Sequence, residues 1–143
     1  MSTLPKRLRR VVDAAEPYVY ALTRIFIGLL LAFHGAQKIF GWYSDHPSPV
    51  LASQIGIGGL LEFVLGLGVA VGVGTRGAAF LASGMMAVAY TQFHWKLASS
   101  NGQWIPTVNH GELAFVYAWT FLLFALRGAG RLSVDSMLDR EGR

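Results

Sequence analysis

Cysteine is absent from the 143 residues, and charge is scarce. Without a thiol there is no disulfide, no thiolate nucleophile and no thiolate metal ligand, so redox chemistry would need a bound cofactor or a partner. Asp, Glu, Lys and Arg make only 14% of the chain, where about 25% is usual for a soluble domain. Hydrophobic residues make 53%, and the mean hydropathy is +0.44. That balance argues against an ordinary soluble domain and for an integral membrane protein. Also missing are a glycine-rich phosphate loop after a strand, an HExxH motif and a serine nucleophile arrangement. The net charge of +4 would suit nucleic acid in a soluble protein. Here the basic residues cluster at apolar-segment ends, which points to a lipid bilayer as partner and not to nucleic acid.

What is present is organised around Arg24 to Gly41, RIFIGLLLAFHGAQKIFG. This run is long enough to cross a membrane, yet it carries His34, Gln37 and Lys38. A Lys or Arg at the centre of a bilayer costs roughly 2.5–3.5 kcal/mol on insertion scales. His34 and Lys38 are four residues apart and share one face of a helix. That face should meet partner helices or a wet cavity. Arg24, at the start of the run, reads as an anchor at the cytoplasmic interface.

The remaining chain reads as an all-α, four-helix transmembrane bundle with an amphipathic N-terminal helix and a short C-terminal surface helix. Residues 1–17 form the amphipathic cytoplasmic segment, 18–127 the four-span domain and 128–143 the cytoplasmic tail. Thr3 can cap the first segment, with Pro5 in its first turn. The spans run from about Tyr18 to Trp42, Leu51 to Val73, Ala78 to Trp95 and Gly111 to Leu126. The first loop, Ser44 to Pro49, has two prolines and cannot continue a helix. Lys96 to His110 is the longest loop, with an Asn101-Gly102 turn. In span two, Gly59, Gly66, Gly68 and Gly72 permit close helix approach, and Gly68 with Gly72 makes a GxxxG pair. Ser133 can cap the last helix. Placing the N-terminus inside puts Lys6, Arg7, Arg9, Arg10, Arg76, Arg127, Arg131, Arg140 and Arg143 on the cytoplasmic side and only Lys96 outside. The positive-inside rule then predicts a multi-pass protein of the bacterial inner membrane with both termini cytoplasmic.

In that topology the intramembrane polar groups gather toward the outer leaflet. His34, Gln37, Lys38, Glu62, Gln92, His94, His110 and Glu112 are the candidate lining of one polar pocket. A buried ammonium and a buried carboxylate are each costly alone, so Lys38 should meet Glu62 or Glu112. Lys38, His94 and Glu112 also lie close enough to the surface to snorkel, and a protonated Glu62 would need no cation. His34, His94 and His110 are on separate elements without ligand spacing, so no metal site is expected and haem is disfavoured.

Five segments resemble the DoxX family of small bacterial membrane proteins. They are R-x3-G-x5-H-G-x2-K (Arg24, Gly28, His34, Gly35, Lys38), G-G-L-L-E ending at Glu62, G-x-G-T-R from Gly72 to Arg76, H-G-E-L-A from His110, and G-A-G-R-L-S-V-D from Gly128 to Asp135. The last looks like the family's usual GPGRLSLD ending, with Ala129 in place of proline. The resemblance implies a four-helix membrane bundle. Through related thiosulfate:quinone oxidoreductase subunits and oxidative-stress complexes, it also implies quinone as cofactor and other membrane or redox subunits as partners. In that reading His34 would hydrogen-bond a quinone carbonyl, Lys38 would stabilise developing negative charge, and Glu62 or Glu112 would relay protons. The competing expectations are a non-catalytic assembly subunit, docking through its glycine seams, and a small-solute or proton carrier.

Overall fold

The computed structural model describes residues 5–43, 51–97 and 102–141. It is all-α, with no strand among the described residues. Among the described residues six α-helices follow in order: α1 (Lys6–Phe40), α2 (Gln54–Val71), α3 (Thr75–Ala89), α4 (Pro106–Asn109), α5 (Glu112–Arg127) and α6 (Val134–Glu141). A π-helical segment, Tyr90–Trp95, continues α3 without a break. There the ladder widens to five-residue spacing, with Lys96 N–H donating to the Thr91 carbonyl at 2.8 Å. The Thr3 cap, the Ser44–Pro49 loop and the Asn101 half of the expected turn lie outside the described residues.

Two helices, α1 and α2, are long and apolar enough to cross a membrane. The 35 residues of α1 run through the expected boundary at 17/18. Pro17 has no N–H to give to the Asp13 carbonyl, but its ring is tolerated within the helix. The amphipathic segment is therefore the exposed first third of α1, continuous with the rest of that helix. Gly41 ends α1 in a left-handed conformation, its N–H on the Gln37 carbonyl.

Helix α1 packs chiefly on α2, and α3 on α5, with α2–α3 contacts joining the two pairs. The α1–α2 seam is backbone against backbone. A Cβ at Gly28 would lie 2.6 Å from Ala70 N, one at Gly66 would lie 2.5 Å from Ala32 N, and one at Gly35 would strike Phe63 N. Gly59 closes the seam under the Lys38 side chain. The seven-residue spacing of Gly28 to Gly35, and of Gly59 to Gly66, keeps each pair on one face of its helix, along the line of contact. Around α3 and α5 the core is built of larger groups: Leu31, Val69, Met86, Tyr117, Phe121 and Phe124, with Ala79 and Ala82. Outward, the long helices expose large apolar side chains, including Phe26, Phe80, Trp119 and Leu126.

Of the glycines expected to pack helices, Gly68 makes only ordinary contact with Ala78. Gly72 is the α2 C-cap at φ +79°, so the GxxxG pair is not a helix–helix seam. Its place is set by chain reversal, because the left-handed region strains any side chain with a Cβ. A Cβ there would also strike Ser133.

Arg24 corrects the sequence reading most. It is fully buried and is not an interface anchor. Its Nη1 donates to the carbonyls of Val69 (2.5 Å) and Ala70 (2.7 Å), and its Nη2 to Leu132 (2.7 Å). One guanidinium thus satisfies the open end of α2, where the helix dipole favours a cation, and holds the chain after α5 against it. Arg76 does the same for α5, reaching the Ala125 and Leu126 carbonyls at 3.1 and 2.5 Å. Asp135 supplies the complementary anion. Its carboxylate accepts from Gly74 N–H at 2.8 Å and Thr75 N–H at 2.9 Å, at the start of α3. Burial pushes this carboxyl up, but the Thr75 and Gly74 donors, helped by the Thr75 side chain and the Arg24 charge, hold it below the usual range. Ser133 caps α6 through Ser136 N–H, 3.2 Å away. Residues 128–135 are therefore packed against the end of α2 and the start of α3.

Candidate functional site

At the end away from α6, the C-terminal half of α1 and the N-terminal halves of α2 and α5 surround a cavity of about 610 Å³, closed by the end of α3 and the π segment. Each wall follows helical spacing. Leu31, His34 and Lys38 come from α1; Gln54, Gly58 and Glu62 from α2; Leu113, Ala114 and Tyr117 from α5. On the fourth wall the π segment turns three consecutive residues, Gln92, Phe93 and His94, onto the cavity. Apolar lining residues such as Ile57, Leu61, Val88 and Leu113 remain well exposed, so the cavity reaches the outer apolar surface.

The polar centre is an ion pair, Lys38 Nζ to Glu62 Oε1 at 2.5 Å. Glu62 is buried at 5% exposure, and its Oε2 has no hydrogen-bond partner among the described residues. The Lys38 side chain is 38% exposed. Its stem lies over Gly59, where a Cβ would come within 2.7 Å of the Lys38 Cβ. The missing side chain lets the ammonium reach the carboxylate. His34 stands edge-on to Tyr117, with ring centroids 6.2 Å apart. Gln54 donates to Gln92 at 2.6 Å and ties the start of α2 to the π segment.

The H-G-E sequence acquires a local explanation. His110 is left-handed at φ 58°, and Gly111 donates its N–H to Asn109 Oδ1 at 2.8 Å. A Cβ on Gly111 would come within 2.8 Å of both His94 and Tyr90. The Tyr90 hydroxyl donates to the Trp104 carbonyl at 2.5 Å and accepts from Asn109 at 3.1 Å. The segment before α5 is thereby bound to the π segment, with His94 Nδ1 3.4 Å from the Asn109 carbonyl.

Six of the expected residues, His34, Lys38, Glu62, Gln92, His94 and His110, line this cavity. Gln37 and Glu112 do not; Glu112 is exposed in the first turn of α5, and among the described residues Lys38 pairs with Glu62 and not with Glu112. Sequence reasoning missed Gln54 and Tyr117. Gln54 stands two turns before Glu62 on the same face, a four-plus-four spacing legible without coordinates. Among the described residues, no three His, Asp or Glu side chains are grouped to hold a metal ion.

The DoxX family model matches residues 19–95, which carry α1 from residue 19 onward, α2, α3 and the π segment. An uncharacterized protein of Haemophilus influenzae is 32% identical over 132 residues, covering 87% of this chain and 94% of its own. No solved structure matches the chain. With the family model spanning more than half of the residues, and a relative aligned along nearly the whole length, the chain belongs to the DoxX family.

Proposed function

We propose that this chain is a four-span inner-membrane protein that binds a quinone in the cavity between its helices, as a small subunit of a redox assembly. The observation that carries the reading is the Lys38–Glu62 pair in the wall of a cavity whose other lining is mostly apolar and reaches the outer surface. Alpha-helices α3 with its π segment and α5 supply the third and fourth spans. Large exposed apolar residues on all four helices support contact with lipid, since soluble monomers rarely expose contiguous apolar surface on that scale.

The residues fit a ligand with a polar head and an apolar tail. Lys38 is half-open to the cavity and can donate to a carbonyl oxygen while remaining paired with Glu62. Its charge would stabilise negative charge developing on that oxygen. His34 offers a second donor one helical turn deeper. Glu62 keeps one oxygen unpartnered and can accept or pass a proton. Met85, Met86 and Leu31 supply an adaptable apolar wall. A bound quinone would supply two-electron, two-proton redox chemistry, with electrons delivered by a partner subunit.

Titration of purified protein with a short-chain quinone tests the reading. Wild type should bind saturably, and His34→Ala and Lys38→Met should each weaken binding by about tenfold, as for loss of a hydrogen bond to or from a charged or polarised group. Circular dichroism would check folding. Absence of saturable binding to wild type, or wild-type binding by both folded variants, would remove the quinone site. The assembly-subunit reading would then lead.

A further inference from the structure

A second cavity, of about 540 Å³, lies at the opposite end of the molecule, between Tyr18 of α1, the end of α2 and one side of α6. We infer that it is a binding site for an anionic phospholipid, with the headgroup phosphate between Arg131 and Arg140. The inference rests on the membrane-spanning reading but not on quinone binding.

Charge and surface chemistry both point to this ligand. Arg131 is held in place by Tyr18: Nη1 donates to the phenol oxygen at 2.9 Å, and the guanidinium carbon lies 5.0 Å from the ring centroid. That contact fixes the planar fork beside the cavity, which is the geometry phosphate recognition uses. Arg140, two turns along α6 from its start, lines the same cavity and forms no ion pair among the described residues. Two of the three acidic residues of α6, Asp135 and Asp139, line a separate cavity toward Arg76 and Arg127, and Glu141, its last residue, lines neither cavity. Arg140 thus lines the cavity with Arg131, while Asp135 and Asp139 line the other. Beside the arginines, Val71, Leu132 and Met137 are exposed at 53%, 56% and 65%. A free phosphate would satisfy the cations and leave that apolar surface in water. A phospholipid satisfies both, with its chains along the outer faces of α1 and α2.

The full chain, purified in mild detergent, can be examined by native mass spectrometry with added phosphatidylglycerol, phosphatidylcholine or glycerol phosphate. Wild type should retain phosphatidylglycerol in preference to phosphatidylcholine. Arg131→Gln and Arg140→Gln should each lower that retention by about fivefold, the share of one basic residue near an anionic headgroup. Arg10→Gln, outside the cavity, should leave it unchanged. The Arg140 side chain is exposed and forms no ion pair among the described residues, so its substitution tests the site even if Arg131→Gln proves unstable. Equal retention of the two lipids would overturn the site, as would an equal loss in Arg10→Gln. Glycerol phosphate bound as tightly as phosphatidylglycerol would overturn the lipid assignment. Quinone titration of the same preparations reads the far cavity independently, and cysteine labelling across sealed vesicles tests the spanning arrangement.

Discussion

Glu62 and Lys38 form one ion pair, but they are not equivalent to the fold. Glu62 is almost wholly buried, whereas Lys38 keeps more than a third of its side chain exposed. Removing Lys38 strands a carboxylate among helices, with neither oxygen satisfied; removing Glu62 releases an ammonium that can turn toward water or headgroups. Lys38→Met should therefore destabilise more than Glu62→Leu, by about 1–2 kcal/mol after allowance for screening of the exposed partner. Thermal unfolding of both variants in one detergent checks the order, and equal midpoints would contradict it. This pair was legible in the sequence as one of two, Lys38 with Glu62 or with Glu112, because charges within apolar runs have few partners available to them. Arg24 was not legible in the same way. Its partners are the Val69, Ala70 and Leu132 carbonyls, and every residue carries a carbonyl. No residue pattern marks the three that a folded helix end leaves unbonded. A charge at the edge of an apolar run consequently reads as an anchor when it is a buried cap.

At the scale of the helix, the seam between α1 and α2 depends on glycine at positions where no side chain fits. Gly35 faces Phe63 N and the Gly59 carbonyl, both backbone atoms that cannot swing aside. Gly35→Ala should separate the helices, costing about 1–3 kcal/mol as overpacking does, and should widen the gap across which Lys38 reaches Glu62. Gly58 has open space where a Cβ would go, so Gly58→Ala should be neutral or slightly stabilising. Helical content and unfolding midpoints of the two variants measure the contrast; a Gly35→Ala protein as stable as Gly58→Ala would exclude the tight seam. Hydropathy made the bodies of α1 and α2 legible, yet it could not assign their glycines individually. Gly68 and Gly72 have the spacing of a packing motif, but Gly72 sits where the chain must turn left-handed to leave α2. Spacing records closeness along a face and carries no mark of where the helix stops. The π segment was equally hidden, since Tyr90 to Trp95 continues the apolar pattern of α3. Only its outcome, three successive residues facing one cavity, departs from ordinary helical spacing.

For the whole molecule, the open question of orientation follows from which parts share an end. The start of α1 and the chain after α5 meet there: Arg127 pairs with Glu16, and the Tyr20 hydroxyl donates to the Gly128 carbonyl at 2.5 Å. Lys6, Arg7, Arg9, Arg10, Arg76, Arg127, Arg131 and Arg140 consequently lie toward one end, while Lys96 lies beyond the π segment at the other. Sequence asymmetry alone required a count of spans before it could orient the chain. The fold brings the basic elements together without that count, although a bilayer is needed to convert one end into an inside. By the positive-inside rule the basic end should be cytoplasmic. The absence of native cysteine makes the measurement direct: single variants Thr107→Cys, in the exposed part of α4, and Asp139→Cys, on α6, can be labelled in sealed right-side-out vesicles. A membrane-impermeant maleimide should modify Thr107→Cys in intact vesicles and Asp139→Cys only after they are opened. The reverse pattern would invert the protein, and modification of both in intact vesicles would contradict the spanning arrangement. If the expected pattern holds, the Lys38–Glu62 cavity opens near the outer leaflet and the Arg131–Arg140 cavity near the inner one, so that the ligands of the two ends arrive from different faces of the membrane.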